Sequence, residues 1–307
     1  MAVTLRVVEG AECLRVLTDP AHEVLHFHHR QQALAARLKV DFSDILFLLD
    51  HMPLALRSAP HADQRADVAR ILAERRGPVA AALPALIARH LACLERPGPC
   101  DILNEAIKPL VEDMIGLVIQ ADLAPTTANL VSRVFSELLG VAQRRAMNAE
   151  LAGLRRQIAL AHPGDSELRQ GSRLALVVLG RDATIGTLAR SLHAHFTALD
   201  GRPVNALPLP EVPTHTGVPA VPRESNVEGE ELRCRLQAFE GGEPADRLRF
   251  FGAGPHVCLG RVLALELFKH LSAHLARVTS QVQITDFHLR KDDVFAMPDL
   301  FTISVTP

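Results

Sequence analysis

The residues with the clearest capacity for chemistry lie in the segment 250–260, which reads FFGAGPHVCLG. Three glycines, a proline and a cysteine in so short a span predict a tight loop that holds a thiol. Leucines recur every fourth residue after Gly260, so a helix is expected to begin there and to place Cys258 at its N-terminus.

The position of Cys258 favours the thiolate over the thiol. Unpaired backbone N–H groups and the positive end of the helix macrodipole stabilise the negative sulfur, and the glycines let those N–H groups come close. Phe251 can cover the same site with its ring. Because a thiolate is a strong metal ligand, we interpret Cys258 as a candidate metal ligand. The alternative is a buried, inert cysteine in a glycine-rich turn.

The elements that must position this loop are mainly helical. Apolar residues recur at three- and four-residue steps over 62–74, 107–118 and 174–189, which predicts helices there. Near the C-terminus the period changes to two, at 282–284 and 301–305, which predicts a small β element. The sequence therefore indicates a mainly α protein with a small β component.

Two stretches are expected to interrupt the helices. The turn Arg76-Gly77-Pro78 is predicted to close the helix that begins at Ala62. The segment 203–222 holds six of the chain's 20 prolines, and each proline removes a backbone donor and clashes with the preceding helical turn. We expect an extended connector there, inside a single domain that spans 1–307.

The composition excludes several classes of function. With 33 Lys and Arg against 35 Asp and Glu, the chain lacks the basic excess of a general nucleic-acid-binding protein. It has no Tyr and no Trp, which excludes tyrosine chemistry and makes base-stacking platforms improbable. We see neither a secretory signal nor an apolar run long enough for a membrane span, and we expect a cytoplasmic protein without a membrane partner. The five scattered cysteines do not suggest a disulfide framework.

The ten residues from Phe251 to Gly260 resemble the heme-binding loop of the cytochrome P-450 family, F-x-x-G-x-x-x-C-x-G. The resemblance implies a P-450-like fold, heme b as the cofactor and Cys258 as the proximal iron ligand, which favours O–O cleavage. It also implies that His256 bonds a heme propionate and that Phe251, Gly254 and Gly260 form the cofactor-binding loop.

Three further residues resemble the family's propionate ligands. His61 and Arg65 form H-x-x-x-R, one turn apart on the predicted helix, and this pair is similar to the His and Arg of the family's helix C. Arg223, after Pro222, is similar to the arginine that follows helix K. The alternative for the His/Arg pair is an ordinary solvated helix face.

The segment 174–189, LALVVLGRDATIGTLA, resembles the family's distal helix I with its motif A/G-G-x-D/E-T. Gly180 and Asp182 match. A glycine inside a helix costs about 1 kcal/mol relative to alanine, and a buried carboxylate costs more unless it has a partner. Ala183 stands where the family has a threonine that helps to protonate bound oxygen. Thr184 is rotated from that position by about 100°, so we expect that it cannot simply substitute.

Arg181, beside the acidic residue of that motif, is an unusual cation for an oxygen-binding helix. We name it as a candidate ligand for a substrate carboxylate; the alternative is an ordinary exposed arginine.

The chain is short for this family, and the material between the helix I motif and the heme loop is abbreviated. The region 1–53 is a shortened N-terminal part, and the connector 203–222 stands where helix K with its E-x-x-R motif should be. The letters E-x-x-R occur at Glu230 and Arg233, but they follow the connector in an apparent strand, so we interpret them as coincidence. In the family that pair helps to lock the loop around the heme. The resemblance thus implies a truncated P-450-like fold.

The resemblance implies a monooxygenase that oxidises a small organic substrate at iron-bound oxygen, with a ferredoxin- or flavodoxin-like electron donor. Two alternatives stay open. Ala183 and the truncation also suit a peroxide-driven or redox-neutral enzyme, such as a peroxygenase, dehydratase or isomerase. A degenerate member that binds heme without turnover is the other alternative.

Overall fold

The computed structural model describes residues 4–122, 130–136, 138–290 and 294–307. Helices form most of this part of the chain. They are α1 (Gly10–Thr18), α2 (Phe27–Leu38), α3 (Ser43–Asp50), α4 (Ser58–His90), α5 (Lys108–Ile119), α6 (Val141–Ala161), α7 (Glu167–Leu199), α8 (Pro244–Arg247) and α9 (Arg261–Leu275). The strands are β1 (Thr4–Val8), β2 (Gly98–Cys100), β3 (Ala220–Glu224), β4 (Glu230–Arg235), β5 (Gln281–Leu289) and β6 (Pro298–Thr306). The predicted class, mainly α with a small β component, is confirmed.

Helix α4 does not end where the sequence predicted. It continues through Pro78 and Pro84 to His90, so the predicted closing turn is wrong. A proline inside a helix costs about 3 kcal/mol. Burial of one aliphatic side chain contributes about 1.5–3 kcal/mol, and Val79, Leu83 and Ile87 are all fully buried along one face. Burial of this stripe offsets the cost of the prolines.

The same segment also departs from the expectation that no apolar stretch reaches the length of a membrane span. By length and composition, Pro60–Glu95 is long and apolar enough to cross a membrane. In the fold, α4 packs against α5, α7 and α9, and 33% of its most apolar 18-residue window is buried.

Helix α7 lies at the centre of the helical core and packs against α4, α5 and α6. Helices α5 and α9 form where the periodicity predicted them. Before α5, the residues Leu103–Ile107 form a π-helical turn. The largest apolar cluster of the described residues is built around these helices.

Two three-stranded sheets flank the helices. One has the order β1-β4-β3, in which β1 is parallel and β3 antiparallel to β4, and the other has the order β2-β6-β5. The predicted C-terminal strands are confirmed. The apparent strand expected over 230–239 is confirmed only as far as Arg235, because Leu236–Phe239 form a 3-10 turn. A second apolar cluster lies between the first sheet and α1, and it includes Leu17, Leu232, Phe239 and Phe250.

The connector 203–222 has no helix beyond the single turn Val204–Ala206 before it enters β3, as its prolines predicted. It lies directly on α7 at Gly217, where an added Cβ atom would be 2.2 Å from the Ala183 carbonyl oxygen. The Gly217 N–H donates to Thr187 Oγ1 at 2.8 Å, and its carbonyl accepts from the Ala296 N–H at 2.9 Å. Only a residue without a side chain fits at this contact.

Candidate functional site

The loop before α9 is held by its glycines and by one backbone hydrogen bond. Gly252 and Gly254 have φ angles of +76° and +66°, which L side chains rarely adopt. A Cβ atom on Gly254 would also lie 2.5 Å from the carbonyl oxygen of Leu17 in α1. The Cys258 N–H donates to the Phe251 carbonyl at 2.7 Å. The loop therefore closes on itself and rests on α1.

Cys258 differs from the other cysteines of the chain. The other four are buried, whereas Cys258 has its accessible surface on a cavity of about 320 Å³ that lies within the fold. Its removal from bulk water raises the pKa of the thiol, although the backbone N–H groups of Gly260 and Arg261 and the charge of Arg65 lower it. The helix terminus thus acts in the direction that the sequence predicted, but desolvation is the larger effect. A cation at the sulfur would reverse the balance.

Most of the cavity is apolar. Its walls come from α4, α7, α9, the connector and the loop before α9, and Phe251 and Gly260 are part of the lining. Aromatic and aliphatic side chains dominate the remaining surface; examples are Leu25, Phe27, Leu72, Phe135 and Phe295. Such a surface suits an apolar ligand of small-molecule size.

Four predicted cofactor ligands gather at this cavity. The rings of His61 and His256 lie 4.3 Å apart, centroid to centroid, at an angle of 40°. Arg65 Nη2 donates to the Val257 carbonyl at 2.7 Å, which ties α4 to the loop before α9. Arg223 is 3% exposed, and its Nη1 donates to the carbonyl of the preceding proline at 2.8 Å. Arg65, Arg223 and His256 line the cavity, and the ring of His61 packs against that of His256 at a tilt.

Positive charge dominates the electrostatics of this cluster. Burial, followed by the charges of Arg223, His61 and Arg65, lowers the pKa of His256 to about 3. Burial and the same two arginines lower the pKa of His61. His61 Nε2 and His256 Nδ1 are buried and have no hydrogen-bond partner among the described residues. No Asp or Glu in the described part of the chain lines the cavity. Two carboxylates on a bound molecule would supply the missing negative charge and acceptors, so these residues fit the propionates of a heme.

On α7, the cavity is lined by Gly180, Ala183 and Thr184. Thr184 thus reaches the cavity, although its side chain points about 100° away from the position of the missing threonine. Thr187, one turn further, lines the cavity as well, so the cavity follows a broad face of the helix. The hydroxyl of Thr187 is engaged with the Ala183 carbonyl at 2.8 Å.

Asp182 and Arg181 do not line this cavity. Asp182 is fully buried and accepts hydrogen bonds from Ser132, from Arg181 Nη1 at 2.7 Å and from Arg290 Nη2 at 3.0 Å. Arg181 Nη2 also donates to Glu112 of α5 at 2.6 Å. The prediction that Arg181 holds a substrate carboxylate is therefore corrected: its charge is compensated inside the protein, where it joins α5 to α7. Asp182 belongs to the same ion cluster and not to the cavity wall.

One cavity residue escaped the sequence analysis. Arg233 lines the cavity, and its Nε is buried without a partner in the described part of the chain. Glu230, the other residue of the coincidental E-x-x-R, lies on the same strand and accepts instead from Ser225. Residues three apart on a strand point to opposite faces, so this pair cannot act as a helical E-x-x-R pair does. No signal in the sequence marked Arg233 as a cavity residue.

No family model matches the sequence, and no curated protein matches it. Solved structures do match it over nearly its whole length. CalO2 aligns with a TM-score of 0.71 at 17% identity, covering 98% of this chain and 90% of that one. The tirandamycin C-bound P-450 monooxygenase TamI aligns at 0.70 and 17%, covering 98% and 89%. A thermophilic cytochrome P-450 from Sulfolobus tokodaii aligns at 0.63 and 17%, covering 96% and 92%.

At sequence identities this low, the alignments support the fold and do not identify a substrate or a partner. The alignments nevertheless cover 96–98% of this chain. The protein therefore has a mainly α, cytochrome P-450-like fold.

Proposed function

We propose that the protein is a heme-thiolate oxidoreductase that oxidises a small organic substrate. The observation that carries the proposal is a cavity that contains one cysteine thiol and a cluster of cations with no carboxylate among its described lining residues. Heme b fits both features, because its iron needs the thiolate and its propionates need the cations. Bound there, the heme would supply the activation of oxygen or peroxide for oxidation of the substrate.

The residues of the chain have separate tasks in this proposal. Cys258 holds the iron and donates electron density to it. Arg65 and Arg223 hold the propionates through charge-assisted hydrogen bonds, together with His61 and His256. The apolar walls exclude water and bind the substrate through its carbon skeleton.

Thr184 is the residue that we propose for proton delivery. It is the cavity-lining hydroxyl nearest in sequence to Ala183, where the family's threonine is missing. A hydroxyl there could hold a water molecule or pass a proton into the cavity. Electrons would come from a ferredoxin- or flavodoxin-like donor, and we propose a cytoplasmic location for the system.

A second candidate is a peroxide-driven or redox-neutral enzyme of the same heme-thiolate type. Ala183 favours it, since its methyl group lines the cavity at the position of the missing hydroxyl. Turnover with peroxide alone would support this candidate, whereas coupled NAD(P)H consumption through a surrogate ferredoxin would support the first. Thr184→Val should lower the product formed per reductant consumed only in the ferredoxin-dependent case. A heme protein that responds to no ligand and turns over no substrate would leave only the non-catalytic alternative.

The decisive experiment is a carbon monoxide difference spectrum of the reduced, heme-supplemented protein. We expect the thiolate-shifted Soret band in the wild type and its loss in Cys258→Ala. Cys93→Ala is the matched control, because Cys93 is buried outside the cavity and its replacement should leave the band in place. A colourless wild type, or a band that persists in Cys258→Ala, would overturn the proposal.

A further inference from the structure

A buried ion pair joins α7 to the residues that follow β4. Arg190 of α7 forms two hydrogen bonds with Glu240, from Nη1 to Oε1 at 2.6 Å and from Nη2 to Oε2 at 3.0 Å. The exposed fractions of the two side chains are only 10% and 15%. A bidentate, desolvated Arg–carboxylate pair of this kind fixes both partners in orientation.

The pair also holds the proline-rich connector. Arg190 Nη1 donates to the Thr216 carbonyl at 2.6 Å, and the Thr216 N–H donates to Glu240 Oε1 at 3.0 Å. The adjacent Gly217 N–H donates to Thr187 on the same helix at 2.8 Å. Three parts of the chain thus meet at one polar junction: α7, the connector and the residues that follow β4.

Glu240 is coupled to the cysteine loop through its neighbour in the chain. Phe239 is 7% exposed and belongs to the second apolar cluster, together with Phe250 and Leu17. Phe250 opens the segment that carries Cys258, and the same Leu17 supports Gly254 through close backbone contact. A displacement of Glu240 would therefore be transmitted to the Cys258 loop through the packed side chains of this cluster.

We propose that Arg190 and Glu240 are positioning residues that replace the missing E-x-x-R pair and hold the Cys258 loop in its ligating geometry. This inference rests on the proposed function for its heme readout. The physical reason is that removal of one partner leaves an uncompensated charge in a desolvated junction. Either the connector or the segment after β4 must then move to admit water, and the loop moves with it.

Two substitutions test the pair. Glu240→Gln keeps the shape and one acceptor but removes the charge, and Arg190→Met removes all the donors while it retains an apolar stem. Asp165→Asn is the matched control, because it breaks another ion pair of α7, in which Arg173 Nε lies 2.7 Å from Asp165 Oδ2 and the arginine is 5% exposed. That pair lies outside the cavity lining.

Two readouts separate positioning from general stability. In the heme-loaded protein we measure the rate of heme transfer to apomyoglobin, and we expect at least a tenfold increase for Glu240→Gln and Arg190→Met but less than a twofold change for the control. In the heme-free protein we measure amide hydrogen exchange, and we expect faster exchange in 250–260 and 214–219 for the two test variants. The control should accelerate exchange around 165–173 only.

The outcomes distinguish this inference from the proposed function. Unchanged heme transfer and unchanged exchange in 250–260 would overturn the role of the pair, even if the wild type shows the thiolate Soret band. Equal acceleration of heme loss by the control variant would also overturn it, since the effect would then be one of overall stability. If the wild type binds no heme, the proposed function fails, and the exchange experiment alone still decides whether the pair positions the loop.

Discussion

Replacement of Gly217 by alanine tests the closest backbone contact at the cavity. The added Cβ atom would lie 2.2 Å from the Ala183 carbonyl oxygen and 2.8 Å from the Thr187 nitrogen. Both are backbone atoms inside α7, so neither can be relieved by rotation of a side chain. Because Cβ atoms essentially never come closer than 3.0 Å to other atoms, the connector must move away from the helix by about 0.8 Å.

The energetic cost follows from what that movement breaks. The Gly217 N–H bond to Thr187 Oγ1 and the Ala296 N–H bond to the Gly217 carbonyl would both be stretched. Each buried hydrogen bond contributes about 1 kcal/mol, and overpacking of a dense contact costs about 1–3 kcal/mol. We therefore expect Gly217→Ala to lower the free energy of unfolding by about 3–5 kcal/mol.

Urea unfolding of the heme-free protein measures this change. The control is Gly153→Ala, because Gly153 is inside α6 and its added Cβ atom would meet nothing within 4 Å. That variant should be more stable than the wild type by about 0.5–1 kcal/mol, since alanine loses less backbone entropy than glycine in a helix. A Gly217→Ala protein within 1 kcal/mol of the wild type would refute the close contact between the connector and α7.

Two further predictions concern charges. The pKa values of His61 and His256 are lowered in the fold, so the unfolded chain binds their protons more tightly; the heme-free protein should lose stability as the pH falls from about 6.5 towards 3. Urea unfolding at several pH values should show this loss in the wild type and a smaller loss in His256→Phe. The loss should also be smaller with bound heme, because its propionates would raise both pKa values. Equal slopes of unfolding free energy against pH in all three cases would contradict the proposed electrostatics of the two histidines. Asp182→Asn leaves Arg181 and Arg290 without their shared carboxylate, and it should lower the free energy of unfolding by about 3–5 kcal/mol even without heme. A neutral effect on unfolding, combined with a loss of turnover alone, would instead support a relay role.

Local sequence patterns predicted those parts of the fold that local forces decide. The four-residue leucine repeat after Gly260 marked α9, and the alternation near the C-terminus marked β5 and β6. The glycines and the cysteine around Cys258 predicted a closed turn that meets a helix terminus, whereas the P-450-like fold was implied by the resemblance of this motif to a known family. None of these inferences required knowledge of a distant contact.

The sequence could not reveal what depends on tertiary packing. Helix α4 passes Pro78 because burial further along its apolar face outweighs the cost of the proline. Periodicity placed Asp182 and Arg181 on a helix but could not say which face meets the cavity, and the acceptors that bind Arg181 come partly from another helix. The junction of Arg190 and Glu240 joins residues 50 positions apart, and no spacing rule connects them.

Two opposite electrostatic deficits in one cavity give the strongest physical reason for a heme. The thiol of Cys258 has a raised pKa because burial removes it from water, so its anion needs a cation close to the sulfur. The cluster around Arg65 and Arg223 has the reverse need. Among the described residues, no carboxylate lines the cavity to balance its positive charge, and two imidazole nitrogens have no hydrogen-bond partner. A metal ion alone would satisfy the sulfur and repel the cluster, and an organic dianion alone would satisfy the cluster and leave the thiol protonated. A single ligand that carries a metal at its centre and two carboxylates at its edge relieves both at once.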